Sequence, residues 1–497
     1  MTQNVMNDKE LLDILLGYQE WQTFECKRAA VQPSKLLETI VAFVNTDGGI
    51  IAIGLEDPSK FDGVKRLIGI SENPDNVSEV LKLISKEIHP PLPSLSNIEV
   101  SIKNTKNIDD KLILIKVIKS NDVHSLRNGD TFVRRGNQNI KIGSLEIIRL
   151  KYEKGAIKFE DEASGISSLD IIDKELLIRY KSDNQSKEQD DWRFLKDNGL
   201  AVDKDGKFEL SNGGVLLFAK NPTIALSSKC SIKISHYYGV KQAALSATEP
   251  KFVRKPYSIE GPLLYQIEKA VSYFKDVVSQ SPPKLKGSTF NPTILIPETA
   301  FQEAVTNAVI HRNYSIQNDI QIRFYDDLIE IESPGTYPGH ITINNIRSER
   351  FARNPLIVRT LNRFQSSPNL DIGEGVDRMF KAMIEQNLYD PIYSHPSVFP
   401  NSVFLFLINL HKVEHWDTVS NYLDKNYKIT NVEARKITGI NDTLIMSRQL
   451  KLWVDKGLIS KIGIGKRNIF YKKPGQEIYS GYFQQAVKLS KALLPSP

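Results

Sequence analysis

Hydrophobic positions follow two periods along this chain, one typical of helices and one typical of strands. Apolar residues recur at helical spacing in LLETIVAFVNT at 36–46, PLLYQIEKAVSYFKDVV at 262–278 and FQEAVTNAVIHRNY at 301–314, which predicts amphipathic helices. Alternation or a short apolar run predicts strands in TFECKRA at 23–29, IIAIGL at 50–55 and SVFLFLINL at 402–410. The interleaving of the two periods predicts an α+β multidomain protein.

Further strands are predicted in the middle of the chain. DIQIRFY at 319–325 and DLIEIES at 327–333 predict a hairpin with Asp326 and Asp327 at its turn. NGGVLLFAKNP at 212–222 and KISHYYG at 233–239 predict strands around a glycine turn. GEG at 373–375 then opens a segment with helical spacing through Val376, Met379, Phe380 and Met383.

Composition restricts the class of protein. A length of 497 residues favours three or four domains, and the net charge of +6 permits nucleic-acid binding without requiring it. The two cysteines exclude a disulfide framework and a cysteine-based zinc site. No stretch of 18 apolar residues and no signal peptide is found, so we expect a cytoplasmic protein.

Acidic side chains flank the first two predicted strands. Glu25 and Lys27 share one face of TFECKRA, Glu20 precedes them, and Asp57 follows the strand IIAIGL. Together they could form a metal-competent site, in which acids hold a divalent ion and the lysine steadies a phosphate. Alternatively, the acids are ordinary solvent-exposed side chains at the edge of the sheet and pair with Lys27 or Arg28.

Three arginines in HSLRNGDTFVRRGNQN at 124–139, namely Arg127, Arg134 and Arg135, lie beside glycine turns. Such a cluster could bind phosphates, although a solvated surface is the commoner role for a short basic run.

Three segments in this order, ECKRA, AFVNTDGGIIAIGLED and FVRRGNQN, resemble the Schlafen AlbA-like domain. The resemblance implies an α/β domain that cuts transfer or ribosomal RNA with Mg²⁺ or Mn²⁺, with Glu20, Glu25 and Asp57 as metal-binding and catalytic acids and Lys27 beside them. Glu56 is the neighbouring alternative for the third acid. Bacterial members of the family are also described as DNA-binding domains of transcriptional regulators, so the resemblance leaves binding without cleavage as an alternative. NGGVLLFAKNP resembles the middle module of such bacterial proteins.

The segment FQEAVTNAVIHRNY places Glu303, Asn307 and His311 four residues apart, near one face of the predicted helix. On spacing alone this is either a functional stripe or a solvated face. The order helix, hairpin, glycine loop, helix and strand over 300–410 is similar to the ATP-binding sandwich fold of gyrase, Hsp90, histidine kinases and MutL (GHKL).

That second resemblance assigns roles within the predicted nucleotide site. It implies that Glu303 polarises the attacking water and that Asn307 holds magnesium, while Gly373 and Gly375 form the second glycine box beside the phosphates. The first glycine box is SPGTYPG, with Ser333 where the family has the adenine-binding aspartate, followed by Gly335. Serine is a weaker, neutral acceptor for the adenine amino group. We interpret His311 as structural or phosphate-adjacent.

The last module resembles a winged helix-turn-helix. VSNYLDKNY, TNVEARKITGI and NDTLIMSRQLKLWVDKGL predict three short helices, and LISKIGIGKRNIFYKK predicts two strands. By resemblance, Ser447, Arg448 and Lys451 would face a major groove, and Lys466 and Arg467 in the wing would contact phosphates. A winged helix that docks a protein is the alternative.

These segments predict five regions: a Schlafen-like domain at 1–150, a linker and middle α/β module at 151–295, a GHKL-type module at 296–412, a winged helix at 413–475 and a tail at 476–497.

The first functional hypothesis is a metal-dependent endoribonuclease gated by an ATP-binding module with weak ATPase activity, in phage defence or stress. The alternative is an ATP-binding, DNA-binding transcriptional regulator without nuclease activity, and a third hypothesis is an ATP-driven machine. RNA or DNA is the expected partner, and a homodimer is expected by resemblance.

Overall fold

The computed structural model describes residues 11–12, 15–16, 20–92, 95–241, 244, 251–279, 285–286, 289–290, 294–368, 374–396, 399–412, 414–426, 428–455, 458–462 and 469–473. The chain divides into two compact units, Met1–Ile148 with Val413–Pro497 and Arg149–Lys412. The predicted boundaries after 150 and 412 fall at or within two residues of the limits of the second unit.

The N-terminal segment of the first unit is built on a four-stranded sheet in the order β1-β2-β5-β4. Strand β1 is parallel to β2, and the other pairs are antiparallel. The elements are β1 (Phe24–Lys27), α1 (Pro33–Asn45), β2 (Gly49–Ile53), α2 (Pro74–Glu87), β3 (Ile88–His89), β4 (Leu95–Lys103), β5 (Asp109–Val117), β6 (Ser125–Leu126), β7 (Thr131–Arg135), β8 (Gln138–Ile142) and α3 (Ser144–Lys154), which spans the limit between the units.

The asparagine-glycine block between α1 and β2 has a direct structural role. The side-chain nitrogen of Asn45 donates to the carbonyl oxygens of His124 at 2.7 Å and Phe132 at 2.9 Å, which ties the end of α1 to the segment carrying β7. A Cβ atom at Gly49 would lie 2.6 Å from the carbonyl oxygen of Thr23. Glycine therefore allows β2 to approach the chain leading into β1.

Within its described residues, the C-terminal segment of the first unit contains three helices followed by a two-stranded antiparallel sheet. These are α12 (Trp416–Asn426), α13 (Asn431–Thr438), α14 (Thr443–Asp455), β19 (Ser460–Ile462) and β20 (Phe470–Lys472). Thr430 and Glu433 form a capping box at the start of α13, and the Asp442 carboxylate accepts the amides of Leu444 and Ile445. Thr430 and Asp442 therefore each cap the start of a helix.

The second unit contains a six-stranded sheet in the order β12-β11-β15-β16-β18-β17. Its strands are β9 (Ala201–Lys204), β10 (Lys207–Leu210), β11 (Ile232–Tyr237), β12 (Phe252–Ile259), β13 (Leu285–Lys286), β14 (Thr289–Phe290), β15 (Ile320–Phe324), β16 (Leu328–Pro334), β17 (Ile392–Tyr393) and β18 (Ser402–Ile408). Its helices are α4 (Lys174–Asp183), α5 (Asp191–Asp197), α6 (Asn212–Phe218), α7 (Pro222–Ala225), α8 (Leu263–Ser279), α9 (Glu298–Ile310), α10 (Pro355–Asn362) and α11 (Gly375–Glu385).

This sheet crosses the predicted boundary at 295. Strand β11 pairs in parallel with β15, and β15 forms the predicted hairpin with β16. One hydrophobic cluster extends from Ile172 to Leu407. The predicted middle module and ATP-binding module thus share one sheet and one core, because a strand of the first hydrogen-bonds directly to a strand of the second.

The prediction of a strand in NGGVLLFAKNP is wrong, since residues 212–218 form helix α6. Ser211 caps this helix by accepting the amide of Gly214 at 3.1 Å. A Cβ at Gly214 would overlap the carbonyl oxygen of Leu200, so glycine is required for close packing here. A short buried apolar run has no period that separates helix from strand.

The α+β multidomain class predicted from the sequence is confirmed by these helices and mixed sheets. Among the described residues, no helix is both long enough and apolar enough to cross a membrane.

Candidate functional site

A cavity of about 380 Å³ lies in the second unit, beside α9, the end of β16 and the start of α11. Five residues predicted for a nucleotide site line it together: Glu303, Asn307, Ser333, Gly335 and Gly375. They come from three separated segments of the sequence, and the sheet and its helices bring them together. The sixth predicted residue, Gly373, lies outside the described residues.

The polar stripe of α9 forms one wall of this cavity. The Asn307 side-chain nitrogen donates to Glu303 Oε1 at 3.0 Å, as residues four apart on a helix can. His311 follows the last helical residue, and its amide donates to the carbonyl oxygen of Asn307 at 3.0 Å. Burial, assisted by the nearby Arg353 guanidinium, lowers the pKa of His311 to about 4. The imidazole is therefore neutral at pH 7.

The Glu303 carboxylate also contacts the start of α11. Arg378, one turn along that helix, lies 3.0 Å from Glu303 Oε2. A Cβ atom at Gly375 would overlap the carboxylate. The glycine predicted to admit a phosphate thus admits the side chain of Glu303 in this structure.

The loop after β16 forms another wall. Ser333 Oγ donates to the carbonyl oxygen of Ala308 at 2.8 Å, which leaves its lone pairs as acceptors. Gly335 has φ +104°, and a Cβ there would lie 2.7 Å from the Cβ of Asn313. This turn therefore requires glycine both for its backbone conformation and for space.

A second cluster of charged groups surrounds β1 in the first unit. Glu25 is almost fully buried and is ion-paired with both Lys27 and Arg134. Glu20 lies 3.7 Å from the ammonium of Lys27 and accepts the amide of Cys26 at 3.0 Å. Burial first, and then repulsion by Glu25, raises the pKa of Glu20, while Lys27 opposes the rise. Two acids therefore converge on Lys27.

The acids after β2 are arranged differently. Glu56 is buried, with Lys60 at 3.2 Å and Arg28 at 3.5 Å. Asp57 accepts the amide of Ser59 at 2.8 Å. Burial would raise the pKa of Asp57, but hydrogen bonds from Ser59 together with the nearby Lys60 and Lys27 outweigh it and lower the pKa. Asp57 is thus held as a carboxylate in a local turn.

Two family models match segments that contribute residues to these sites. Residues 20–143 match the family described as Schlafen, AlbA_2. Residues 317–401 match the family HATPase_c_4, described as the putative ATP-dependent DNA helicase recG C-terminal. The chain thus contains one segment similar to the Schlafen AlbA_2 domain and another similar to an ATPase-like module. The second match includes Ser333, Gly335 and Gly375 but begins after Glu303 and Asn307.

Whole-chain comparisons add little to these domain matches. A comparison with curated protein sequences finds no match. Among solved structures, the crystal structure of the DIP2311 protein from Corynebacterium diphtheriae is 18% identical, covering 96% of this chain and 82% of that chain with a TM-score of 0.38. At that TM-score the likeness carries no conclusion about fold or function.

The donor groups differ in how well they suit a metal. In the ATPase-like module, Asn307 uses its amide nitrogen on Glu303, so its Oδ1 is the atom that could coordinate magnesium, an oxygen of the type this ion accepts. In the Schlafen AlbA-like domain, the donors do not fit in this arrangement, because two cations already neutralise Glu25. Among the residues with described positions, Glu20, Glu25 and Asp57 included, no three acidic, histidine or cysteine side chains form a metal-binding group.

Of the three arginines predicted to contact nucleic acid in this domain, Arg127 and Arg135 are exposed. The predicted phosphate contact of Arg134 is not available in this structure, because its guanidinium is fully buried. Besides Glu25, it donates to the carbonyl oxygen of Trp21 at 3.0 Å and to Asn139 Oδ1 at 2.8 Å. A side chain that satisfies its donors inside the domain positions Glu25 and is not available to a phosphate.

In the C-terminal segment, the predicted groove-facing residues of α14 are exposed. Arg448 and Lys451 lie one turn apart, and Ser447 Oγ accepts the side chain of Asn431 at 3.0 Å. The wing residues Lys466 and Arg467 lie outside the described residues.

Sequence reasoning missed three arginines that line the cavity: Arg350, Arg353 and Arg378. Arg353 is buried and donates to backbone carbonyl oxygens, including that of Glu153 at 2.9 Å. Arg378 follows Gly375 by three positions, which places both on one helical face. That spacing could have identified Arg378, whereas no local pattern distinguishes Arg353.

Proposed function

We propose that the chain is a nucleic-acid-binding regulator whose ATPase-like module binds an adenine nucleotide with magnesium. The observation that carries this proposal is the single cavity in which Glu303, Asn307, Ser333, Gly335 and Gly375 meet. The two domain matches suggest a nucleic-acid-associated ATPase, and the cavity supplies the place where its nucleotide would bind.

The walls of the cavity supply groups suited to both ends of a nucleotide. Ser333 donates its proton to Ala308, so its oxygen can accept from the amino group of adenine. Arg350 and Arg378 line the same cavity and carry the positive charge that phosphates require. Asn307 would hold magnesium through Oδ1, and that ion, when bound, would offset part of the phosphate charge.

The nucleic-acid-binding part of the proposal rests on exposed cations in the first unit. Arg127 and Arg135 in the Schlafen AlbA-like domain are exposed, and so are Arg448 and Lys451 on α14. Three helices followed by a two-stranded sheet suit a winged helix with α14 as its recognition helix. Homodimerisation and a role in phage defence or stress remain predictions.

The nuclease hypothesis finds less support at β1. The observation that favours this hypothesis is that Glu20 and Glu25 both lie close to Lys27. However, cleavage with a metal ion would require Lys27 and Arg134 to release Glu25 first. A buried carboxylate paired with a buried arginine is costly to separate, since breaking such a pair costs about 3–5 kcal/mol. We therefore propose that the Schlafen AlbA-like domain binds nucleic acid through its exposed Arg127 and Arg135 without cutting it.

Replacing Asn307 tests nucleotide binding. We expect Asn307→Ala to weaken binding of ATP with Mg²⁺ about ten- to hundredfold, because losing contacts to a charged ligand costs about 1.5–3 kcal/mol. Calorimetric titration measures this affinity. Gln302→Ala is the matched control, since Gln302 is partly exposed on the same helix and does not line the cavity. Equal ATP affinity of Asn307→Ala and wild type would contradict the proposal.

The double replacement Arg448→Ala with Lys451→Ala tests the role of α14 on duplex DNA. If both side chains contact phosphates, the slope of log affinity against log salt should become shallower by about 1.8, at about 0.9 per phosphate contact. Fluorescence anisotropy of a labelled 30-base-pair duplex gives the slope. The control is Lys204→Ala with Lys207→Ala, a pair of exposed lysines on β9 and β10. An unchanged slope would instead support the protein-docking alternative.

Incubation with transfer RNA tests the nuclease hypothesis. We expect no cleavage in Mg²⁺ or Mn²⁺, with or without ATP, because Glu25 is committed to two cations. The products are resolved on denaturing gels. Cleavage by wild type that is lost in Glu25→Gln and kept in Glu99→Gln, a matched exposed acid of the same domain, would refute binding without cleavage.

A further inference from the structure

The carboxylate of Glu303 occupies a position that suits a phosphate. It touches the first residue of α11, where a Cβ on Gly375 would overlap it. Glu374, the residue that precedes the helix, makes no side-chain cap. The first amides of a helix lack acceptors within that helix and favour an anion. The Glu303 carboxylate places an anion of this chain beside the helix start.

Arg378 holds that carboxylate from the other side. Its guanidinium lies 3.0 Å from Glu303 Oε2, while Asn307 donates to Oε1. The Arg378 side chain is 39% exposed, whereas that of Glu303 is only 9% exposed. The Arg378 guanidinium can therefore contact a ligand in the cavity from its present position. The Glu303 carboxylate, by contrast, must move away from the start of α11 before a phosphate can bind there.

The other basic side chains of the cavity differ from Arg378 in their charge or in their hydrogen-bond partners. Arg353 is committed to backbone carbonyl oxygens, and His311 is neutral because burial lowers its pKa. Arg350 is exposed at the cavity, and none of the residues described here is its ion-pair partner. Among these side chains, Arg378 alone has a charge that is neutralised by an acid of the same cavity.

We infer that Glu303 is a resident anion that fills the phosphate subsite in the nucleotide-free protein, and that Arg378 is the residue that recognises the nucleotide's phosphates. An entering phosphate takes the place of the Glu303 carboxylate at the start of α11 and receives the guanidinium of Arg378, with Arg350 as a further contact. This role replaces the water-polarising role that resemblance implies for Glu303. The inference rests on the proposed nucleotide-binding function.

Glu303→Gln and Arg378→Gln give opposite predictions. Removing the resident charge from Glu303 should raise the ratio of affinity for a non-hydrolysable ATP analogue to affinity for adenosine by at least about fivefold, because a like charge then no longer opposes the phosphates. Arg378→Gln should lower that ratio by a similar factor. Calorimetric titration of the full chain with the imido analogue of ATP and with adenosine, each in Mg²⁺, measures both.

Two neutralisations outside the cavity serve as matched controls. Glu298→Gln removes an acid from the same helix, where it pairs with Lys275, and Lys381→Gln removes an exposed cation from α11. Both should keep the wild-type ratio.

An unchanged or lower ratio for Glu303→Gln would overturn the inference while leaving nucleotide binding intact. If that variant fails to fold by thermal unfolding, an unchanged ratio for Arg378→Gln overturns it. Wild type that binds neither ligand would overturn nucleotide binding itself.

Discussion

The contact of the Glu303 carboxylate with the start of α11 is the constraint on which the ATPase-like module depends. It joins α9, which carries Asn307, to the helix that carries Arg378. It also explains why residue 375 must be glycine, since any side chain there would overlap the carboxylate. Glu303, Asn307 and Gly375 also line the cavity, so the groups that join these two helices lie where a ligand would bind.

In the Schlafen AlbA-like domain, too, a buried carboxylate is held by neighbouring side chains. There, Glu25 is buried between Lys27 and Arg134, just as Glu303 is held by Asn307 and Arg378. In both sites an acid that sequence patterns mark as catalytic is compensated by an arginine distant in sequence. Because burying an unpaired charge is expensive, each arginine lowers the free-energy cost of burying its acid.

Local patterns were sufficient for those elements whose hydrophobic period is clear. The hairpin at 320–334 and helix α9 follow from the hydrophobic period. Helix α6 was missed because its apolar run has no period. Arg134 was assigned to the surface because its burial depends on Trp21 and Glu25, more than 100 positions away. The sharing of one sheet by β11 and β15 is likewise a long-range pairing that no local pattern encodes.

The most direct test of the account is a crystal structure of the protein with the imido analogue of ATP and Mg²⁺. In that structure the terminal phosphates should lie at the start of α11 beside Gly375, Arg378 should contact them, and the Glu303 carboxylate should have moved out of reach of Arg378. A bound analogue whose phosphates lie elsewhere, with the 3.0 Å pair between Glu303 and Arg378 intact, would contradict it.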